Sequence, residues 1–122
     1  MSGSDRIKFP STFEQFWADI THVVQQNPEL KTLDHGKPNW FKMGKDAIPV
    51  KTMKSSPDWL PISKETFKKV YEYLRKPEVK EVKRDFLLKS LKIYRSAAVS
   101  TLLSKLDYIE ASIKPITLRI RK

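Results

Sequence analysis

The spacing of apolar residues changes period along this 122-residue chain, and that alternation limits the folds open to it. Phe13, Phe16, Trp17, Ile20, Val23 and Val24 recur at steps of three and four, which is one apolar face of a helix. Ile48-Pro49-Val50-Lys51-Thr52-Met53 alternates, as a half-buried strand does. Phe67, Val70, Tyr71 and Leu74 return to the helical step. Ile116, Leu118 and Ile120 alternate again with Thr117, Arg119 and Arg121. A chain that swings between the two periods is α+β: a small antiparallel sheet with three to four helices packed on one face.

Punctuation residues place the boundaries. Ser11, with Glu14 three residues on, reads as a capping box for the first helix, and Asn27-Pro28 ends it. Leu30 to Leu33 is a short extended segment, and Asp34-His35-Gly36-Lys37-Pro38 is a turn. Trp40-Phe41-Lys42-Met43 follows, then the turn Gly44-Lys45-Asp46. Pro49 would put its strand at an edge or a bulge. Residues 30–54 therefore read as a hairpin or meander carrying Lys42, Lys45, Lys51 and Lys54. Ser55 to Pro61 reads as a loop, with Trp59 and Leu60 tucked into the core or Trp59 free to stack on a base. Ser63 caps the second helix, which Pro77 stops. Residues 78–92 fit a helix beginning after Pro77 or a loop across 77–84. A further helix spans Ser96 to Leu106, and a final strand is expected to join the 30–54 sheet and close it. Residues 1–10 read as a flexible polar lead-in, and 11–122 as one domain.

Lysine and arginine number 24 against 14 acidic residues, a net charge of +10. Residues 1–40 carry 4 cations and 5 anions, so the surplus lies wholly in the last two thirds. A field of that sign attracts polyanions, nucleic acid above all. Between Arg75 and Arg95 stand 8 cations (Arg75, Lys76, Lys80, Lys83, Arg84, Lys89, Lys92, Arg95) against 3 anions. Lys89, Lys92 and Arg95, three residues apart, would fall along one side of a continuous helix. Ser96 and Ser100 add short donors at a helix start, where free backbone N–H groups also attract phosphate. Lys83 to Leu106 is thus the expected working surface. Its binding set is Arg75, Lys76, Lys83, Arg84, Lys89, Lys92, Arg95, Ser96 and Ser100.

Other chemistry is poorly served. Cysteine is absent, which removes disulfides, thiolate metal sites and cysteine nucleophiles. The glycines Gly3, Gly36 and Gly44 form no phosphate-cradling loop. His22 and His35 have no partner at ligand spacing. A small basic ribonuclease would need one of them beside a cation, and nothing in the sequence fixes that. We therefore expect no enzyme, no metal and no cofactor. The chain has no apolar run near the roughly 18 residues that span a bilayer, nor the apolar core of a signal peptide. Cytoplasmic location without a membrane partner is the expectation. The tyrosines with Trp40 and Trp59 leave open a protein-interaction role, such as an accessory factor of a phage or mobile element.

Leu33 to Phe41 with its Gly-Lys-Pro turn, Ile48-Pro49-Val50, the Val70-Tyr71-Glu72-Tyr73-Leu74 helix and Tyr94 to Leu103 together resemble small winged-helix-like DNA-binding modules found beside bacterial restriction endonuclease domains. The resemblance spans 33–106 and lacks the nuclease domain. It implies a winged-helix-like fold and DNA binding through Arg95, Ser96 and Ser100. Double-stranded DNA is therefore expected ahead of RNA.

Overall fold

A computed structural model describes residues 8–33, 36–53, 58–93, 95–113 and 115–121. The expected turn residues Asp34 and His35, the loop residues Lys54 to Pro57, and Tyr94 lie outside the described residues. Helix α1 (Phe13–Gln26) is capped by Thr12 rather than Ser11: the Thr12 hydroxyl accepts from the Gln15 N–H at 3.2 Å. The backbone of Thr12 is extended, as a cap requires, and Glu14 then sits in the first turn, where the helix dipole favours an anion. Asn27 ends the helix, as the Asn27-Pro28 pair predicts. The chain joins the fold before residue 11. The Phe9 ring stacks on Tyr71 at 5.3 Å, and its N–H bonds the Arg121 carbonyl at 3.1 Å.

Four strands follow or flank the turns: β1 (Glu29–Lys31), β2 (Pro38–Phe41), β3 (Ala47–Thr52) and β4 (Leu60–Ser63). They form an antiparallel meander in the order β1-β2-β3-β4. The stretch read as a loop up to Pro61 thus contains a strand, and β3 is interior rather than at an edge. Pro49 and Pro61 stand opposite each other. The Pro49 carbonyl turns the other way and accepts from the Lys42 N–H at 3.1 Å, so the proline pair is one where neither residue must donate to the other. That register lets a proline occupy an inner strand. Gly44 makes the β2–β3 turn possible, because a Cβ there would lie 2.5 Å from the Ala47 carbonyl oxygen.

Ser63 caps α2 (Lys64–Leu74) as expected, its hydroxyl accepting from the Thr66 N–H at 3.2 Å. The 78–92 region resolves into strand β5 (Glu81–Lys83) and the short helix α3 (Arg84–Lys89). Helix α4 (Ser96–Leu103) comes next, followed by the hairpin β6 (Ile109–Ser112) and β7 (Thr117–Ile120). These last strands do not close the first sheet. They form a second sheet in the order β5-β7-β6. The sequence of helix, strand, two helices and hairpin over 64–120 is a winged-helix-like arrangement, so the chain is α+β, with two small antiparallel sheets and four helices among the described residues.

One core serves both halves. Leu30, Phe41, Ile48, Val50 and Ile62 from the first sheet join Val82, Leu118 and Ile120 from the second around the helices. Helix α4 is central: of its eight residues, all but Ala97 are buried. Helix α1 and strand β1 pack against it. The Tyr108 hydroxyl donates to Asp19 at 2.7 Å and ties α1 to the chain beyond α4. Burial, and then that bond to a carboxylate, pushes the Tyr108 phenol well above its ordinary value of 10.0. No helix among the described residues is long and apolar enough to cross a membrane.

Candidate functional site

Helix α2, the end of β4 and the turn between α3 and α4 enclose a depression of about 220 Å³. Its lining includes the buried Ile62 and Ile93 together with Pro61 and Thr66. Lys69, Lys92 and Arg95 complete the lining. They arrive from α2, from the α3–α4 turn and from the residue preceding α4. No carboxylate lines the depression among the described residues. The Lys69 ammonium donates to the Leu91 carbonyl at 3.0 Å, which pins α2 to the turn and leaves two of its three donors for another acceptor.

Lys89, Lys92 and Arg95 do not share a continuous helix. Helix α3 stops at Lys89, and Lys92 adopts a left-handed backbone with φ of 58°. That conformation costs an L residue roughly 1–2 kcal/mol and ends any helix passing through it. It turns the chain between α3 and α4 and leaves the Lys92 side chain exposed at the rim of the depression. Lys69 takes the place that spacing gave to Lys89. In the sequence Lys69 is one cation among several on the polar side of α2. Only the packing of α2 against the α3–α4 turn sets it beside Lys92.

The other expected residues are dispersed. Arg75, at the C-terminal end of α2, faces Glu72 at 3.5 Å with both side chains more than half exposed, a pair of little energetic weight. The Lys76 ammonium lies over the Tyr73 ring, 5.6 Å from its centre. Lys83 is exposed at the end of β5, Arg84 is half-buried at the start of α3, and Lys89 is exposed at its end. None of these five lines the depression. The arginines that alternate along the C-terminal strand, Arg119 and Arg121, are matched by acids. Glu81 and Glu110 stand opposite Arg119 on its two sides. Arg119 meets Glu81 at 3.7 Å and Arg121 meets Glu110 at 3.0 Å.

The hydroxyls of α4 are withdrawn from solvent. Ser96 is 6% exposed and Ser100 fully buried. Thr101 bonds the Ala97 carbonyl and Ser104 the Thr101 carbonyl, at 2.8 and 2.7 Å. Ser100 Oγ has no hydrogen-bond partner among the described residues. An unsatisfied buried hydroxyl costs about 1–3 kcal/mol. Ser100→Ala is therefore expected to raise the stability by about 1 kcal/mol in urea denaturation. A loss of that size would show that the hydroxyl has a partner. Because α4 is enclosed, it presents no free face to a DNA groove, unlike the second helix of a groove-reading pair.

A second cluster lies on the outer face of the first sheet. Residues of β2 and β3 alternate, with Asn39, Phe41, Ile48 and Val50 inward and Trp40 and Lys51 outward. Trp40 and Lys51 are cross-strand partners. The Lys51 ammonium lies 5.3 Å from the Trp40 ring centre and 5.1 Å from that of Trp59, and Lys42 lies 4.1 Å from Trp59. Trp59 thus faces outward, not into the core.

No group of three or more His, Cys, Asp or Glu is placed to hold a metal ion among the described residues. Comparison with protein-family models, with curated proteins and with solved structures found no match to this chain.

Proposed function

We propose that this protein is a non-enzymatic nucleic-acid-binding module that holds phosphate groups at the depression between α2, β4 and the α3–α4 turn. The observation that carries this reading is the convergence of Lys69 from α2 with Lys92 and Arg95 from the α3–α4 connection on one concave site without an acidic residue in its lining among the described residues. Lysine and arginine neutralise phosphates, and release of condensed counterions drives the association. Ile62 and Ile93 add apolar surface to the lining, and the Thr66 hydroxyl, bonded to Ser63 at 3.0 Å, is the short polar group beside the cations. DNA remains the expected polymer ahead of RNA. Contact is with the backbone rather than with base edges in a groove, since α4 is covered.

The test is titration of labelled duplex DNA, single-stranded DNA and RNA across a salt series. Binding through several phosphates should weaken steeply, with log affinity falling by about 0.7–0.9 per phosphate for each decade of salt. Affinity that is flat across the series, or absent at low salt, overturns the proposal.

Lys92 allows a sharper separation of fold from function. Glycine adopts a left-handed backbone without steric cost, but it gains freedom in the unfolded chain. Lys92→Gly is expected to leave stability unchanged or raise it by up to about 1 kcal/mol. Nucleic-acid affinity at low salt should fall by about threefold to tenfold, the loss of one phosphate contact. Thermal denaturation and fluorescence anisotropy check the two halves of this prediction.

A further inference from the structure

We infer that the outer face of the four-stranded sheet is a stacking platform for single-stranded nucleic acid, with Trp40 and Trp59 receiving bases and Lys42 and Lys51 receiving the phosphates between them. The inference deepens the proposed function and rests on it for the nature of the polymer.

Three features of the face fit this occupant. The first is the pairing of flat aromatic surface with cations. An indole stacks on any base, and an ammonium neutralises any phosphate, so the set suits a strand irrespective of sequence. The second is the present use of the indoles. Lys51 lies within 5.3 Å of both ring centres, and Lys42 within 4.1 Å of one. For the exposed Lys42, an ammonium over a ring contributes about 0.5–1 kcal/mol, less than the roughly 1–3 kcal/mol of a stacked base, and the half-buried Lys51 divides its contact between two rings. An arriving base therefore displaces the lysine from the ring, and the freed ammonium is already beside the sugar–phosphate backbone of that base. The third is continuity with the depression. Along β4 the outward residue after Trp59 is the exposed Pro61, which itself lines the depression holding Lys69, Lys92 and Arg95. Two residues of strand cover roughly 7 Å, so indole platform and phosphate site are adjacent stretches of one track. A duplex cannot use the platform, because its bases are already stacked on each other and its outer surface is phosphate and sugar.

The experiment compares four probes by anisotropy at one low salt concentration: an oligo(dT) strand, an oligo(U) strand, a wholly abasic deoxyribose-phosphate strand of the same length, and a duplex. Wild-type protein is expected to bind oligo(dT) and oligo(U) at least fivefold more tightly than the abasic strand, which keeps the charge and lacks the bases. The double variant Trp40→Ala/Trp59→Ala is expected to lose roughly 5- to 100-fold in affinity for oligo(dT) and little for the duplex. Circular dichroism confirms its fold, and the wild-type comparison with the abasic strand stands even where the variant is unstable. Equal affinity for abasic and base-bearing strands overturns the platform while leaving phosphate binding in place. Affinity for none of the four probes overturns both, and preference for the duplex over every single strand overturns the platform alone.

Discussion

Reversing Lys69, Lys92 and Arg95 together to glutamate is expected to lower nucleic-acid affinity by on the order of 100-fold or more at low salt, with the fold retained. Each cation lost removes about 1 kcal/mol of interaction with a phosphate at a partly exposed site, and each glutamate added repels the phosphate instead. The three losses are concentrated on one concavity, so they act on the same bound segment. The salt dependence should become shallower by about 2–3 in log–log slope, the signature of three phosphate contacts removed. Lys69 and Lys92 are exposed and Arg95 half-exposed, so the structural loss is confined mainly to the Lys69 bond to the Leu91 carbonyl. A charge-matched control reverses Arg75, Lys80 and Lys89, which lie away from the depression. If the control loses as much affinity as the test variant, binding reads net charge and the depression has no special part. If the test variant keeps its affinity, the depression is not the interface.

Phe16→Ala is expected to cost about 3–5 kcal/mol, the largest effect on stability that we predict for a single substitution. Phe16 is fully buried on α1, with ring centres of Phe9, Phe13 and Tyr71 at 5.9, 6.3 and 5.3 Å. Truncation opens a cavity among three aromatic neighbours whose packing α1 needs to hold its seat beside α2 and α4. Domains of this size have about 5–15 kcal/mol of stability in total, so a loss of that order is a large share. The melting temperature should fall by about 10–20 °C in calorimetry. A change below about 1 kcal/mol would mean that α1 is only loosely docked, and that α4 is not the enclosed element described above.

The helices were the more legible part of the sequence, for physical reasons visible in individual residues. Phe16, Ile20, Val23 and Val24, read as one helical face, are all buried, as are Phe67, Val70, Tyr71 and Leu74. The cap at Ser63 was legible because a serine three residues before Thr66 has one obvious use for its hydroxyl. The strand Leu60–Ser63 was hidden by Pro57 and Pro61, since proline ordinarily argues against a ladder. Only the pairing of Pro61 with Pro49 makes it acceptable, and pairing is not a local property. The separation into two sheets was hidden because β5 is three residues long, too short to show a period.

The site was legible in part. Lys92 and Arg95 belong to both the expected and the observed grouping. Lys89 dropped out because Lys92 takes a left-handed backbone, which residue spacing cannot reveal. Ser96 and Ser100 look like donors at a helix start, but their helix is covered by α1, some 80 residues earlier in the chain. Tertiary burial of that kind leaves no mark near the serines themselves. Lys69 entered through the packing of α2 against the α3–α4 turn, whereas Trp59 as a stacking residue, and Trp40 with Trp59 as an aromatic contact group, were legible, and the structure adds that they share one sheet face with Lys42 and Lys51.

The enclosure of α4 by α1 also bears on how the molecule is made. Helix α1 leaves the ribosome long before the residues that cover its apolar face, and Asp19 waits for Tyr108, 89 positions later, to take its hydroxyl. Contacts so distant in sequence delay folding, because a long stretch must close before they reward the chain. A chain made only as far as α2 therefore lacks both the Tyr108 tie to Asp19 and the packing of α1 against α4. Neither half should be expected to survive as a separately expressed fragment.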